Sequence, residues 1–174
     1  MLIKEGRSGF DKGCLMAMFD IGGWDQFQKF LDPDDLYTSM DDDYGFEQTP
    51  HVTICWGLNL KTTDPEDFSP LQKLKAFEVK FKGLSLFENE LYDVLKFDVE
   101  SSVLRKLNKW CEKEFDVENE YDTYVPHVTL CYCKVGHAKK YISKFRMKPF
   151  SISVSQLSYS QRVKGHETQI FLRN

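Results

Sequence analysis

Two seven-residue segments, Pro50-His51-Val52-Thr53-Ile54-Cys55-Trp56 and Pro126-His127-Val128-Thr129-Leu130-Cys131-Tyr132, agree at five positions, and the two differences are conservative. They start 76 residues apart in a chain of 174. A repeat of this quality reads as two related units, each built around one strand. A proline suits the entrance of a strand, where its missing N–H costs no ladder bond. Side chains of a strand alternate faces, so His and Thr two apart share one face. By the same alternation Val52, Ile54 and Trp56, with Val128, Leu130 and Tyr132, are expected to face the core. If the two strands lie side by side about a pseudo-twofold axis, two imidazoles and two hydroxyls converge on one cleft. Such a quartet suits a phosphate: one imidazole takes a proton, the other gives one, and the hydroxyls donate to non-bridging oxygens. A lone His-x-Thr would read as a structural histidine. The duplication with matched neighbours makes His51, Thr53, His127 and Thr129 the candidate catalytic set.

The rest of the chain fits a single α+β domain spanning 1–174. Gly13 to Asp20 reads as a buried strand and Trp24 to Leu31 as a helix stopped by Pro33. Ser69 to Phe77 is expected to be a short helix behind Pro70. Glu78 to Leu86 and Tyr92 to Val99 read as paired strands around Glu88-Asn89. Ser101 to Phe115 is the clearest helix, with Val103, Leu104, Leu107, Trp110, Cys111 and Phe115 on one face. His137 to Phe145 reads as a basic helix with Ala138, Tyr141, Ile142 and Phe145 inward. Phe150 to Gln161 and Thr168 to Leu172 close the chain as strands.

Charge excludes some partners. With 23 basic and 27 acidic residues the net charge is −4, which disfavours long nucleic acid as the main partner but leaves a small anionic ligand open. The distribution is uneven. Leu31 to Pro50 holds seven acidic residues and no Lys or Arg, whereas Lys134 to Asn174 holds nine basic residues and one acidic. The acidic run lacks the EF-hand spacing and reads as a solvated loop. The basic quarter reads either as a solvated face or as an electropositive rim for a phosphate-bearing substrate. No His, Cys and Asp cluster has metal-ligand spacing, so neither metal nor cofactor is expected. The longest apolar run, Cys14 to Phe19, is too short to span a membrane, and the first ten residues lack a signal-peptide stretch. Five cysteines without a C-x-x-C pair fit a reducing, cytoplasmic setting.

The paired His-x-Thr, each flanked by apolar strand residues, resembles the signature of the two-histidine (2H) phosphoesterase superfamily. The resemblance implies a bilobal 2H phosphoesterase-like fold with a central cleft and metal-independent phosphodiester chemistry. The second motif with its sequel Cys133-Lys134-Val135-Gly136, and the first with Gly57, look most like the phage anti-CBASS phosphodiesterases. Those enzymes cleave the cyclic di- and trinucleotides that signal infection in bacteria, so an infected bacterial cell is the implied setting. RNA 2′,3′-cyclic phosphodiesterases of the LigT-like type are a second implied activity, and a nucleotide sponge that binds without cutting is the non-catalytic alternative. Phe19 and Tyr159 are candidate base-contacting rings, and Arg162 and Lys164 a candidate basic flap. Cys55 and Cys131, four residues after the histidines, are expected on the histidine face. That placement would permit a cysteine nucleophile, but small side chains on a cleft floor are the better explanation.

Overall fold

Runs rich in β-branched and aromatic residues form eight strands in this computed structural model, which describes residues 12–38, 44–118, 123–145, 147–161 and 165–173. They are β1 (Lys12–Met18), β2 (His51–Asn59), β3 (Phe77–Glu88), β4 (Asp93–Glu100), β5 (His127–Cys133), β6 (Phe150–Val154), β7 (Gln156–Gln161) and β8 (His166–Phe171). All join one sheet in the order β6-β3-β4-β5-β2-β1-β7-β8, and every pairing is antiparallel. The repeat strands β5 and β2 lie at its centre and meet at Val52 and Val128, the same position of each copy. Outward from that bond the strands match in kind, β1 with β4, β7 with β3 and β8 with β6. The architecture is α+β, as expected.

Helices cover one face of this sheet. α1 (Trp24–Gln28) sets Trp24 and Phe27 against Phe97 at ring-centroid distances of 6.0 and 5.5 Å. α2 (Ser102–Glu114) buries Leu104, Leu107 and Cys111, and its Asn108 amide donates to the Ile54 carbonyl at 3.0 Å. α3 (Lys139–Lys144) buries Tyr141, but Ile142 on the same helix is 38% exposed rather than inward.

Two expected elements differ. The segment at Ser69 to Phe77 is a 3₁₀ helix over Pro65–Lys73, and Phe77 opens β3 instead. Its start is set upstream, where the Asp67 carboxylate accepts the Asp64 N–H at 2.8 Å with Pro65 next. The stretch from Phe150 to Gln161 is two strands in different halves of the sheet, β6 beside β3 and β7 beside β1. The crossing residue is Ser155, whose carbonyl accepts the Leu172 N–H at 2.9 Å. Nothing at Ser155 marks a break, because the sequence there has neither Gly nor Pro.

The acidic run is not wholly a solvated loop either. Asp35 is 4% exposed. Its carboxylate accepts from His137 Nδ1 at 2.9 Å, Lys140 Nζ at 2.7 Å and the Tyr141 hydroxyl. Lys134 adds a bond from Nζ to the Asp34 carbonyl at 2.7 Å. Lys139 pairs with Glu88 at 2.6 Å. These side chains of the basic quarter thus tie the acidic run and β3 to α3. Burial alone would raise the Asp35 pKa, but the hydrogen bonds from Lys140, Tyr141 and His137 outweigh it and hold the carboxyl well below its usual range. Burial and then the bond to Asp35 push the Tyr141 phenol up to about 12, so it stays a donor. Removing that donor, in Tyr141→Phe, is expected to cost about 1.5–3 kcal/mol at neutral pH, read by denaturant unfolding. A carboxyl with depressed pKa stabilises fully above its unfolded value of about 3.9 and loses the contribution as pH falls below it. The gap between wild type and variant should therefore narrow below about pH 4, and a gap that persists unchanged in acid would contradict the Asp35 assignment.

Candidate active site

His51 and His127 open their strands, half-buried, and Thr53 and Thr129 follow two residues on with the same partial exposure. Between them Val52, Ile54, Val128 and Leu130 are fully buried on the helix side. Positions paired across antiparallel strands keep a constant sum, so the Val52–Val128 pairing sets His51 opposite Thr129 and Thr53 opposite His127. The quartet is thus two cross-strand His–Thr pairs, with the two histidines diagonal neighbours whose Cα atoms lie roughly 7–8 Å apart by sheet geometry.

Both imidazoles are oriented identically. His51 Nδ1 lies 2.8 Å from the Thr49 carbonyl, and His127 Nδ1 lies 2.8 Å from the Val125 carbonyl. A carbonyl only accepts, so Nδ1 carries the proton in each ring. In the neutral form Nε2 is then the free base, and in the charged form it is the acid. The segment before each strand, two residues upstream of the histidine, supplies this bond in both copies.

Past the threonines both repeat strands carry a bulge at the same place. Leu15 pairs with Cys55 and Met16 with Thr53, skipping Ile54. Leu95 pairs with Cys131 and Lys96 with Thr129, skipping Leu130. An extra residue resets the alternation. It turns Cys55 and Cys131 to the helix side, at 3% and 0% exposure, against the expectation that they share the histidine face. There Cys131 lies 3.6 Å from Cys133 Sγ, and that bond first and burial second push its thiol up. Neither Cys55 nor Cys131 is therefore placed to act as a nucleophile beside the histidines. The same bulges bring Trp56, opposite Cys14, and Tyr132, opposite Val94, onto the histidine face rather than into the core. Trp56 is 38% exposed, and Tyr132 packs edge-on against Tyr44 and Tyr92 at 5.2 and 5.4 Å.

Other site-face residues escaped the sequence reading. On β4, Lys96 sits opposite Thr129 and Asp98 opposite His127. Lys96 Nζ, 3% exposed, donates to Asp98 Oδ1 and Ser85 Oγ, each at 2.6 Å. The Phe87 ring covers the ammonium at 4.1 Å and meets His127 edge to face at 4.9 Å. Burial first, together with Lys96 and His51, lowers the His127 pKa, against the Val125 carbonyl and Asp98 that raise it. The sequence carries no signal for Lys96, because alternation with Leu95, Phe97 and Val99 inward reads it as solvent-facing.

The structure places Phe19 and Tyr159 in the core instead of on the site face. Phe19 packs on Phe81 at 5.4 Å, and Tyr159, fully buried, packs on Phe68 at 4.5 Å with its hydroxyl donating to the Thr63 carbonyl. Tyr159 lies on β7 and Phe19 directly follows β1, and both continue the odd positions that these strands turn to the helices, which is why they pack inward. Arg162 and Lys164 lie outside the described residues, as do Asp41, Asp42 and Asp43. Among the described residues no three His, Cys, Asp or Glu side chains gather as metal ligands.

No family model and no curated protein matches the chain. Solved structures do. The chain is similar to Usb1 of Kluyveromyces marxianus with a TM-score of 0.60 at 11% identity, over 94% of this chain and 99% of that one. The structure of the same Usb1 with uridine monophosphate gives 0.59 at 11% identity and the same coverage. At that identity the likeness concerns the backbone, and what it shows is the fold: α+β, shared with Usb1 over nearly the whole of both chains.

Proposed function

We propose that this chain is a two-histidine phosphodiesterase whose substrate is a nucleotide phosphodiester, and that the substrate is a cyclic di- or trinucleotide signal of bacterial antiviral (CBASS) immunity. The observation that carries the reading is the quartet itself, with two imidazoles held in the same tautomer by equivalent carbonyls across the sheet centre. On this reading the two halves of the sheet are two lobes of one domain, and the phosphate sits between them. One imidazole Nε2 removes the ribose 2′-OH proton, and the oxygen attacks phosphorus in line. The 5′-oxygen leaves with a proton from the other imidazole, and a 2′,3′-cyclic phosphate forms. Thr53 and Thr129 donate to the non-bridging oxygens. A positioned acid or base contributes about 10²–10⁴-fold and a preorganised donor about 3 kcal/mol. Trp56 and Phe87 are the rings on this face available to stack nucleobases, in place of Phe19 and Tyr159.

That a similar fold is known with uridine monophosphate supports a nucleotide ligand and favours, as the second reading, a terminal 2′,3′-cyclic phosphate of RNA. Incubation with 3′–5′ cyclic dinucleotides and trinucleotides and with 2′,3′-cyclic-phosphate RNA, read by product mass, separates the two. Cleaved rings with RNA ends intact are expected, at a rate that excess EDTA leaves unchanged. Opened RNA ends with intact rings would favour the second reading. Rings recovered intact after denaturing a protein that had bound them would leave a sponge.

A further inference from the structure

Pseudo-symmetry is broken beside one histidine. The strands flanking the repeat are β4 and β1, and their site-face residues in matching register are Lys96 and Met16, opposite Thr129 and Thr53. Asp98 and Met18 stand opposite His127 and His51 in the same way. One strand further out, Ser85 and Ser158 match, paired with Lys96 and Met16. One half therefore carries an ion pair where the other carries two thioethers. A lysine 3% exposed is costly unless it is paired and hydrogen-bonded. Lys96 meets that condition through Asp98 and Ser85, which also bond each other at 2.8 Å. Phe87 roofs the ammonium and abuts the His127 ring. The charge is thus fixed in place, and the wall it belongs to is the one that holds His127.

We propose that Lys96 is a positioning residue that makes the symmetric quartet directional: its buried charge, braced by Asp98 and Ser85 under Phe87, holds His127 in the proton-accepting form and leaves proton delivery to His51. The assignment rests on the two-histidine phosphodiesterase reading. In the step it describes, the 2′-OH proton passes to His127 Nε2 and the 2′-oxygen–phosphorus bond forms. The phosphorus–5′-oxygen bond breaks, and the leaving oxygen takes the His51 proton. Among the described residues, the charged and titratable groups that face His127 are Lys96 and Asp98 from β4 and His51 from β2, while β3 presents the uncharged Phe87 and Ser85. Of these, Lys96 and His51 oppose a charge on His127 and Asp98 favours one. The low His127 pKa agrees with that balance, burial being its largest cause.

The test needs no substrate. Cε1–H resonances of His51 and His127 are followed against pH by NMR in the wild type, in Lys96→Met, which copies the residue of the other half, and in Asp98→Asn. Lys96→Met is expected to move the His127 midpoint up by about one pH unit, and Asp98→Asn to move it down. His51 should move far less in both. Opposite signs from two variants of one ion pair cannot come from loosened packing, which would move both the same way. Shifts of one sign, or a His127 midpoint that ignores both substitutions, would overturn the proposal. In turnover, the acidic limb of kcat/KM in Lys96→Met should rise with the His127 midpoint; an acidic limb that stays put while the midpoint moves would overturn the base assignment. A protein that cuts nothing on the substrate panel but shows both NMR shifts would refute the phosphodiesterase reading alone, leaving the charge asymmetry standing.

Discussion

His51→Ala and His127→Ala are each expected to abolish turnover of the substrate that the panel identifies, and to leave the fold intact. Each imidazole supplies a proton transfer worth about 10²–10⁴-fold. Their stability cost is small because both side chains are half-buried at strand starts. Each also spends its Nδ1 bond on a carbonyl two residues away, and the distant packing lost is the edge contact of His127 with Phe87. The core beneath is carried by Val52, Ile54, Val128 and Leu130, which the substitutions do not touch. The measurements are kcat with circular dichroism and denaturant midpoints alongside. The double variant should be little slower than either single one, since a base and an acid that act in one transition state are not additive. A single variant that retains more than a tenth of wild-type kcat would sink the acid–base assignment. A double variant far below both would instead point to two independent sites.

Much of this site was legible because it is written twice. The duplicated motif named the quartet and its strands, and proline marked both strand starts within a residue. What escaped has specific physical reasons. Strict alternation carried Cys55 and Cys131 to the histidine face and Trp56 and Tyr132 to the core, and one bulged residue in each strand reversed all four. A bulge leaves no mark when the inserted residues are Ile54 and Leu130, ordinary strand formers. Local pattern also cannot show which distant strand pairs with which. That is why Phe150 to Gln161 read as one strand although β6 and β7 lie in opposite halves. Asp35 and Lys96 are buried charges, and hydrophobic patterning treats charge as solvent-facing. Only the three-dimensional partners, Lys140, His137 and Tyr141 for the first and Asp98 and Ser85 for the second, make their burial tolerable.

A cyclic dinucleotide with 2′-deoxy sugars is expected to bind but to be cut slower by orders of magnitude than its ribose counterpart. The reason is the content of the site face. Two imidazoles and two hydroxyls provide one base, one acid and two donors, and the mechanism above uses all of them on the ribose 2′-OH, the 5′-oxygen and the phosphate. The 2′-oxygen is already tethered beside phosphorus, so no second reactant has to be positioned. Intramolecular attack of this kind is worth about 7–11 kcal/mol at its best, and a hydrolytic water must recover that from protein contacts. The neighbours of the quartet are poorly suited to supply them. Met16 and Met18 flank one half, and in the other Lys96 and Asp98 are already committed to each other and to Ser85. Binding should survive, because the phosphates and bases are unchanged. Isothermal titration against cleavage rate, on the ribo and deoxy rings in parallel, separates affinity from chemistry. Equal cleavage rates would show that an imidazole activates water directly, and would overturn transesterification while leaving the two-histidine site in place. A transient 2′,3′-cyclic phosphate on the opened ribo ring, seen by mass before hydrolysis, is the positive sign that the sugar itself attacks.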